Sequence, residues 1–251
     1  VSDRAFCCPC CGHRTLPLAP SGTGQLCEVC CWEDRITPRP TGGLAMEQAS
    51  FEGCGACDPD VVELARPPRP DEARPPWWFS LADAAAVLGA EIDASFEDVR
   101  LDGGVSLEEA EKIDDYELPA RTASDPSPPG FEDAPPWQSL TDADLAAFHW
   151  CNFSFQDGRG LRYHLPAYMH YFLRRSDGPI WEGSLVFTLR CGHQLDELWE
   201  LLTAGQRRVV ARFLAWLAAD PADPDGDDAR AALRERWAGA LDPDQARRFG
   251  A

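Results

Sequence analysis

Cys8-Pro9-Cys10-Cys11-Gly12 and Cys27-Glu28-Val29-Cys30 are the stretches that decide how the chain begins to fold. Each carries a C-x-x-C pair, Cys8 with Cys11 and Cys27 with Cys30, and 15 residues, Gly12 to Leu26, separate the pairs. This is the C-x2-C-x15–20-C-x2-C spacing of a zinc site. The two-residue gap lets both thiolates of a knuckle turn toward one ion. Pro9 fixes the entry to the first turn and Gly12 permits its tight exit. Two knuckles complete a tetrahedral all-sulfur shell, so Cys8, Cys11, Cys27 and Cys30 are expected to hold one structural Zn²⁺. A rubredoxin-like iron site uses the same kind of knuckle and stays open as an alternative. A segment this short has little core, so the metal is expected to fold it; structural zinc contributes about 10–16 kcal/mol of apparent binding energy.

A closed shell leaves no catalytic coordination position. Charge also argues against reading nucleic acid with this module. Its cations are Arg4, Arg14, Arg35 and Arg39, outnumbered by acids that include Glu28, Glu33, Asp34, Glu47 and Glu52. The whole chain of 251 residues carries a formal net charge of -19. That disfavours nucleic acid and anionic membranes, which need clustered cations, and favours a protein partner of basic character. There is no apolar run of the roughly 18 residues needed to span a bilayer. No signal-peptide pattern opens the chain, so a reducing cytoplasm is the expected compartment.

Nine of the 11 cysteines fall between Cys7 and Cys57. Cys7, Cys10 and Cys31 adjoin ligands and are expected to pack as small buried residues. Cys54-Gly55-Ala56-Cys57 is a third C-x-x-C, open to reading as a redox pair, half of another metal site or two packed thiols. Trp32-Glu33-Asp34 reads as a recognition tip or as a tryptophan covering the knuckle beside two solvated acids. Residues 6–65 resemble the bacterial cysteine-rich CPCC domain family. The resemblance rests on Cys8-Pro9-Cys10-Cys11-Gly12, Cys27 to Asp34, Gly42-Gly43, Glu47-Gln48-Ala49, Phe51 and Gly55-Ala56-Cys57. It implies a small metal-binding module of unassigned function. Cys31 departs from the usual aromatic at its place, and Cys7 and Cys54 are extra.

The expected fold class is α+β: a small zinc-ribbon-like module over 1–65, then a mainly α-helical domain with a small β-sheet over 77–251. Arg66-Pro67-Pro68-Arg69-Pro70 continuing to Pro75-Pro76 reads as an extended linker over 66–76. No internal repeat is visible. Helical spacing behind Ser80 runs through Leu81, Ala84, Ala85, Leu88 and Ile92. Ser106 with Glu109 and Thr203 with Gln206 are capping-box patterns, and Thr141 is a further cap. Phe153-Ser154-Phe155 and Leu161-Arg162-Tyr163 read as a hairpin around a glycine turn, and Leu185–Leu189 as a strand. Asp228 to Leu241 reads as a final surface helix.

Residues 90–218 resemble an uncharacterised bacterial domain family of unknown function. The match is carried mainly by Phe153 to Asp157, Gly160 and Arg162 to Tyr168. No activity comes with it. The alternative to a protein-interaction role, in toxin neutralisation or immunity, is an enzyme with a polar site at Asp157, Arg162 and His164, extended by Asp114 and Asp115. His149 with Cys151 and Cys191 with His193 would offer a second Cys/His metal shell if the segments met. The P-loop, dinucleotide fingerprint, H-E-x-x-H and nucleophile-elbow signatures are absent from the sequence.

Overall fold

The computed structural model describes residues 6–20, 22–35, 43–74, 80–120, 134–147, 153–174, 183–219 and 225–242. The chain divides into two compact units. One comprises Val1–Ala84 with Ala219–Gly226, and the other Ala85–Ala218 with Asp227–Ala251.

In the first unit, strands β1 (Phe6–Cys7) and β2 (Arg14–Leu16) pair antiparallel around the first knuckle. Helix α1 (Gly43–Cys54) follows. Its buried Gln48 donates to the Pro9 carbonyl at 2.8 Å and accepts from the Leu81 N–H at 2.8 Å, so one amide side chain satisfies two backbone groups. A 3-10 turn at Pro59–Leu64 starts from Asp58, whose carboxylate accepts the Asp60 N–H.

The proline-rich stretch differs from the expected linker. Over residues 66–74 it lies on the cysteine module. Glu72, in a second 3-10 turn (Pro70–Glu72), is only 1% exposed. Its carboxylate takes a two-pronged bond from Arg66 at 2.6 and 2.7 Å and a third from the Arg69 N–H. The Glu72 carbonyl accepts from His13 Nδ1 at 3.0 Å, and Arg74 donates to the Cys11 carbonyl. Prolines give an extended backbone that leaves these groups free to reach across. Residues 75–79 lie outside the described residues.

The second unit is helical: α2 (Leu81–Phe96, from Ala85 onward), α3 (Leu107–Asp114), α4 (Asp142–Ala147), α5 (Gly158–Arg174), α6 (Gly183–Cys191), α7 (Leu195–Leu201), α8 (Ala204–Ala219) and α9 (Gly226–Ala232). The expected caps form. Ser106 accepts from the Glu109 N–H, Thr203 and Gln206 bond each other's backbone N–H, and Thr141 does the same with Asp144. Helix α5 is central and packs on α7 and α4. Leu161, Tyr163, Leu165, Tyr168, Met169 and Phe172 are among its buried residues. Phe153 meets Tyr168 edge-on at 4.8 Å, and Phe172 lies 6.1 Å from Phe213 of α8. Buried indoles find backbone acceptors: Trp137 donates to Phe96 and Trp237 to Leu189.

Three sequence expectations give way here. Leu161-Arg162-Tyr163 is helix, not the second strand of a hairpin. Asp157 caps the start of α5, its Oδ1 accepting the Gly160 N–H at 2.7 Å, and the helix is buried on most of its circumference. Leu161-Arg162-Tyr163 read alone mimics strand alternation, although Arg159, Arg162, His170 and Arg174 recur at helical spacing along α5. Pro166 sits inside α5 and withholds one N–H from its ladder. Leu185–Leu189 is helix too: Leu185, Val186 and Leu189 are buried on one α6 face. The small sheet of this α+β chain is β1–β2, and the second unit holds no strand among the described residues. The C-terminal segment is α9, a π turn (Leu233–Trp237) and a 3-10 turn (Ala238–Ala240). It buries Ala229, Leu233 and Trp237 where a surface helix was expected.

Candidate metal centre

The sulfurs of Cys8, Cys11, Cys27 and Cys30 all lie within 4.8 Å of one another. Cys8 and Cys30 are 3.7 Å apart, and Cys11 and Cys27 are 3.6 Å apart. A tetrahedral ion with metal–sulfur bonds of about 2.3 Å separates neighbouring sulfurs by about 3.8 Å. The donor set therefore fits such an ion as it stands. All four residues are fully buried.

The two knuckles are built alike. The Gly12 N–H donates to the Cys8 carbonyl at 2.8 Å, and the Cys31 N–H donates to Cys27 at 2.8 Å. The Cys8 N–H reaches back to His13 at 2.9 Å, and the Cys27 N–H to Trp32 at 2.7 Å. Gly12 and Cys31 both take positive φ, 73° and 62°. This local repeat was invisible in the sequence because only the cysteines recur.

Without a cation, the four clustered thiols shift one another's protonation. Burial, then hydrogen bonds with its three neighbours, pushes the Cys8 thiol well up. The hydrogen bond with Cys27 raises Cys11, and that with Cys10 raises Cys30. Cys27 goes the other way: hydrogen bonds from Cys11, Cys30 and Cys8 hold it far below the ordinary thiol range. Thr15 Oγ1 lies 3.0 Å from the Cys27 sulfur and adds one more donor to that thiolate. The pocket thus concentrates sulfur donors whose mutual repulsion, when ionised, three protons or one dication partly offset. Nothing in the Thr15 sequence context pointed to this role.

The surroundings settle the neighbouring residues. Cys10 is buried and its thiol donates to the Glu47 carbonyl at 3.3 Å. Trp32 is buried, with its indole N–H on Glu47 at 2.8 Å. Asp34 is buried as well, accepting from Gly22 and from both the N–H and hydroxyl of Thr23 at 2.7–2.9 Å. Trp32-Glu33-Asp34 is therefore a structural lid on the second knuckle. Only Glu33 faces outward, paired with Arg35, so Asp34 is not the solvated acid expected. Cys54 is exposed and Cys57 buried, and the two are not joined by a disulfide. The Cys57 N–H bonds the Cys30 carbonyl at 2.7 Å, tying the end of the α1 segment to the second knuckle.

The polar residues named for the second unit take different partners. Asp157 Oδ1 accepts from the Val105 and Gly160 N–H groups. His164 is buried, its Nδ1 2.7 Å from the Gly160 carbonyl and 3.0 Å from Gln156 Nε2. Burial lowers its pKa to about 4, against the pull of the Gly160 bond. Arg162 lines a cavity of about 280 Å³ with Arg100, Asp102, Arg159 and Leu201. Asp114 and Asp115 are exposed at the end of α3. Cys191 and His193 are exposed; His149 and Cys151 lie outside the described residues. Among the described residues no helix is long and apolar enough to cross a membrane.

Fold and site together define a chain in which a cysteine-rich module arranged for metal binding is joined to a helical domain. Residues 85–241, more than half the length, match the model of a family of unknown function (DUF6714), and the chain belongs to that family. Residues 6–72 match the cysteine-rich CPCC family model. No curated protein and no solved structure matches the chain.

Proposed function

We propose that the four cysteines hold one structural zinc ion and that the protein works in the cytoplasm by binding another protein. Its toxin-neutralising or immunity-like role would rest on an acidic surface that meets a basic partner. The observation that carries the metal part is the fully buried Cys8, Cys11, Cys27 and Cys30 shell. Four thiolates complete a tetrahedron, which leaves an ion no position for substrate or water. Such an ion folds its module. Zinc suits this role because it has no redox chemistry and no geometric demand from its d electrons. The partner reading is supported by the charge of -19, from 42 acids against 23 basic residues, which steers association with a basic surface.

Elemental analysis of protein purified without chelator should give one zinc per chain and no visible absorption. An iron–thiolate band, or substoichiometric metal, overturns the zinc assignment. Chelation should raise amide exchange over residues 6–72. For the partner, cross-linking of the tagged chain in cytosol should recover a basic protein whose binding weakens steeply with salt. Recovery of metabolites alone, or a salt-insensitive complex, sinks the interaction reading.

A further inference from the structure

We infer that the helical unit carries an anion pocket for a phosphomonoester, built by Arg100, Arg159 and Arg162. These three guanidinium groups line one cavity of about 280 Å³ with a single carboxylate, Asp102, and an apolar wall at Leu201. The excess of cations stands out in a chain of net charge -19. Several arginines elsewhere in this unit are ion-paired, Arg174 with Asp142, Arg190 with Asp228 and Glu235, Arg212 with Glu91 and Arg236 with Asp196, while Arg207 bonds the Trp199 carbonyl. Among the described residues none of the three cavity arginines is ion-paired. Arg100 donates to the carbonyls of Glu97 and Val99, and Arg159 to that of Asp102. Arg162 Nε is buried without a partner. An oxyanion in the cavity can accept charge-assisted bonds from guanidinium groups that no carboxylate holds.

The scaffold beneath the arginines is rigid and specific. Val105 N–H and Gly160 N–H share Asp157 Oδ1, which pins the loop before α3 to the start of α5. A Cβ on Gly160 would come within 2.2 Å of the Val105 carbonyl oxygen, and one on Gly104 within 2.5 Å of the Gly160 nitrogen. Only glycines permit that approach. It sets the Arg159–Arg162 turn of the helix against the loop that carries Arg100 and Asp102. At Asp102 and Gly103 the loop turns back with φ of 51° and 77°. Gly160 and Gly104 therefore have a positioning role, consistent with a site held on fixed elements.

Charge selects the ligand class. Three guanidinium groups against one carboxylate leave two positive charges, which a phosphomonoester dianion neutralises and a monocarboxylate does not. Asp102 can accept from a hydroxyl of the ligand beside its phosphate.

The test is calorimetric titration of the full, metal-loaded chain at pH 7.5 with inorganic phosphate, and with acetate at matched ionic strength. Saturable phosphate binding is expected, with acetate far weaker. Arg162→Gln and Arg100→Gln should each weaken phosphate about tenfold or more, the range for a charge-assisted bond. Arg190→Gln, outside the cavity, should leave it unchanged. Arg100 is exposed, so its variant keeps the test open if Arg162→Gln misfolds. Equal responses to phosphate and acetate, undiminished affinity in both cavity variants, or an equal loss in Arg190→Gln overturns the inference.

Discussion

Gly12 and Cys31 occupy the same left-handed position in two matching knuckles, each donating its N–H to the carbonyl four residues before it. The backbone demand is equal, yet only one position carries glycine. A side chain in this region costs about 1–2 kcal/mol. Gly12→Ala should therefore destabilise the metal-loaded module by about 1–2 kcal/mol. Cys31→Gly relieves the strain but adds freedom to the unfolded chain and gives up a buried side chain, so it should stay within about 0.5 kcal/mol of wild type. Denaturant titration followed by Trp32 fluorescence separates the two. Equal losses in both variants would mean that the strain is not what matters.

The Thr15 hydroxyl acts on the metal ligands without being one. It lies 3.0 Å from the Cys27 sulfur and is buried with it. Thr15→Val keeps the shape and removes the donor. Loss of an outer-shell partner typically costs about 10–100-fold in metal affinity. Chelator competition should show a drop of that order with the helical unit unaffected. Unchanged affinity would assign Thr15 to packing alone.

Glu72 is a buried carboxylate whose charge is met by Arg66, and Arg66 in turn reaches Glu28 at 2.8 Å. Removing Arg66 leaves the acid buried with less compensation. Arg66→Ala should cost the first unit about 3 kcal/mol. Adding Glu72→Gln in the same chain should recover part of that loss. Additive losses in the double variant would show that the pair is not coupled.

His164 makes acid stability readable. Its ordinary value of 6.5 falls to about 4 in the fold because burial disfavours the imidazolium. The unfolded chain then binds a proton that the folded chain refuses. Stability is fully present above pH 6.5 and is lost as pH falls from there toward 4. At pH 5 this amounts to about 2 kcal/mol. Urea titrations at pH 7 and pH 5 should show a smaller drop for His164→Gln than for wild type. Parallel drops would place the proton elsewhere.

Much of the chain was legible because the signals are local. C-x-x-C spacing is a short-range constraint, and it named the four residues that the structure brings within 4.8 Å. Caps at Ser106, Thr141 and Thr203 depend on a side chain and the backbone three residues on, so pattern alone found them. The α5 region failed for the opposite reason. Gly158 and Gly160 suggest a turn and the three residues beyond them alternate, which masks the helical recurrence of Arg159, Arg162, His170 and Arg174. The proline-rich 66–74 segment failed because composition reports backbone stiffness and not the reach of Arg66 and Arg74 to distant acceptors.

By itself the sequence determined the four cysteines of the candidate metal site, the α+β class and an acidic chain, since each follows from residue type and short spacing. Tertiary structure alone decided the rest. It took Asp157 and His164 into capping and core duties, made Trp32 and Asp34 a lid, and gathered Arg100, Arg159 and Arg162 at one cavity. The physical reason is that a charged or polar side chain has several ways to be satisfied. Which one it takes depends on the distant backbone and side chains that the fold brings against it.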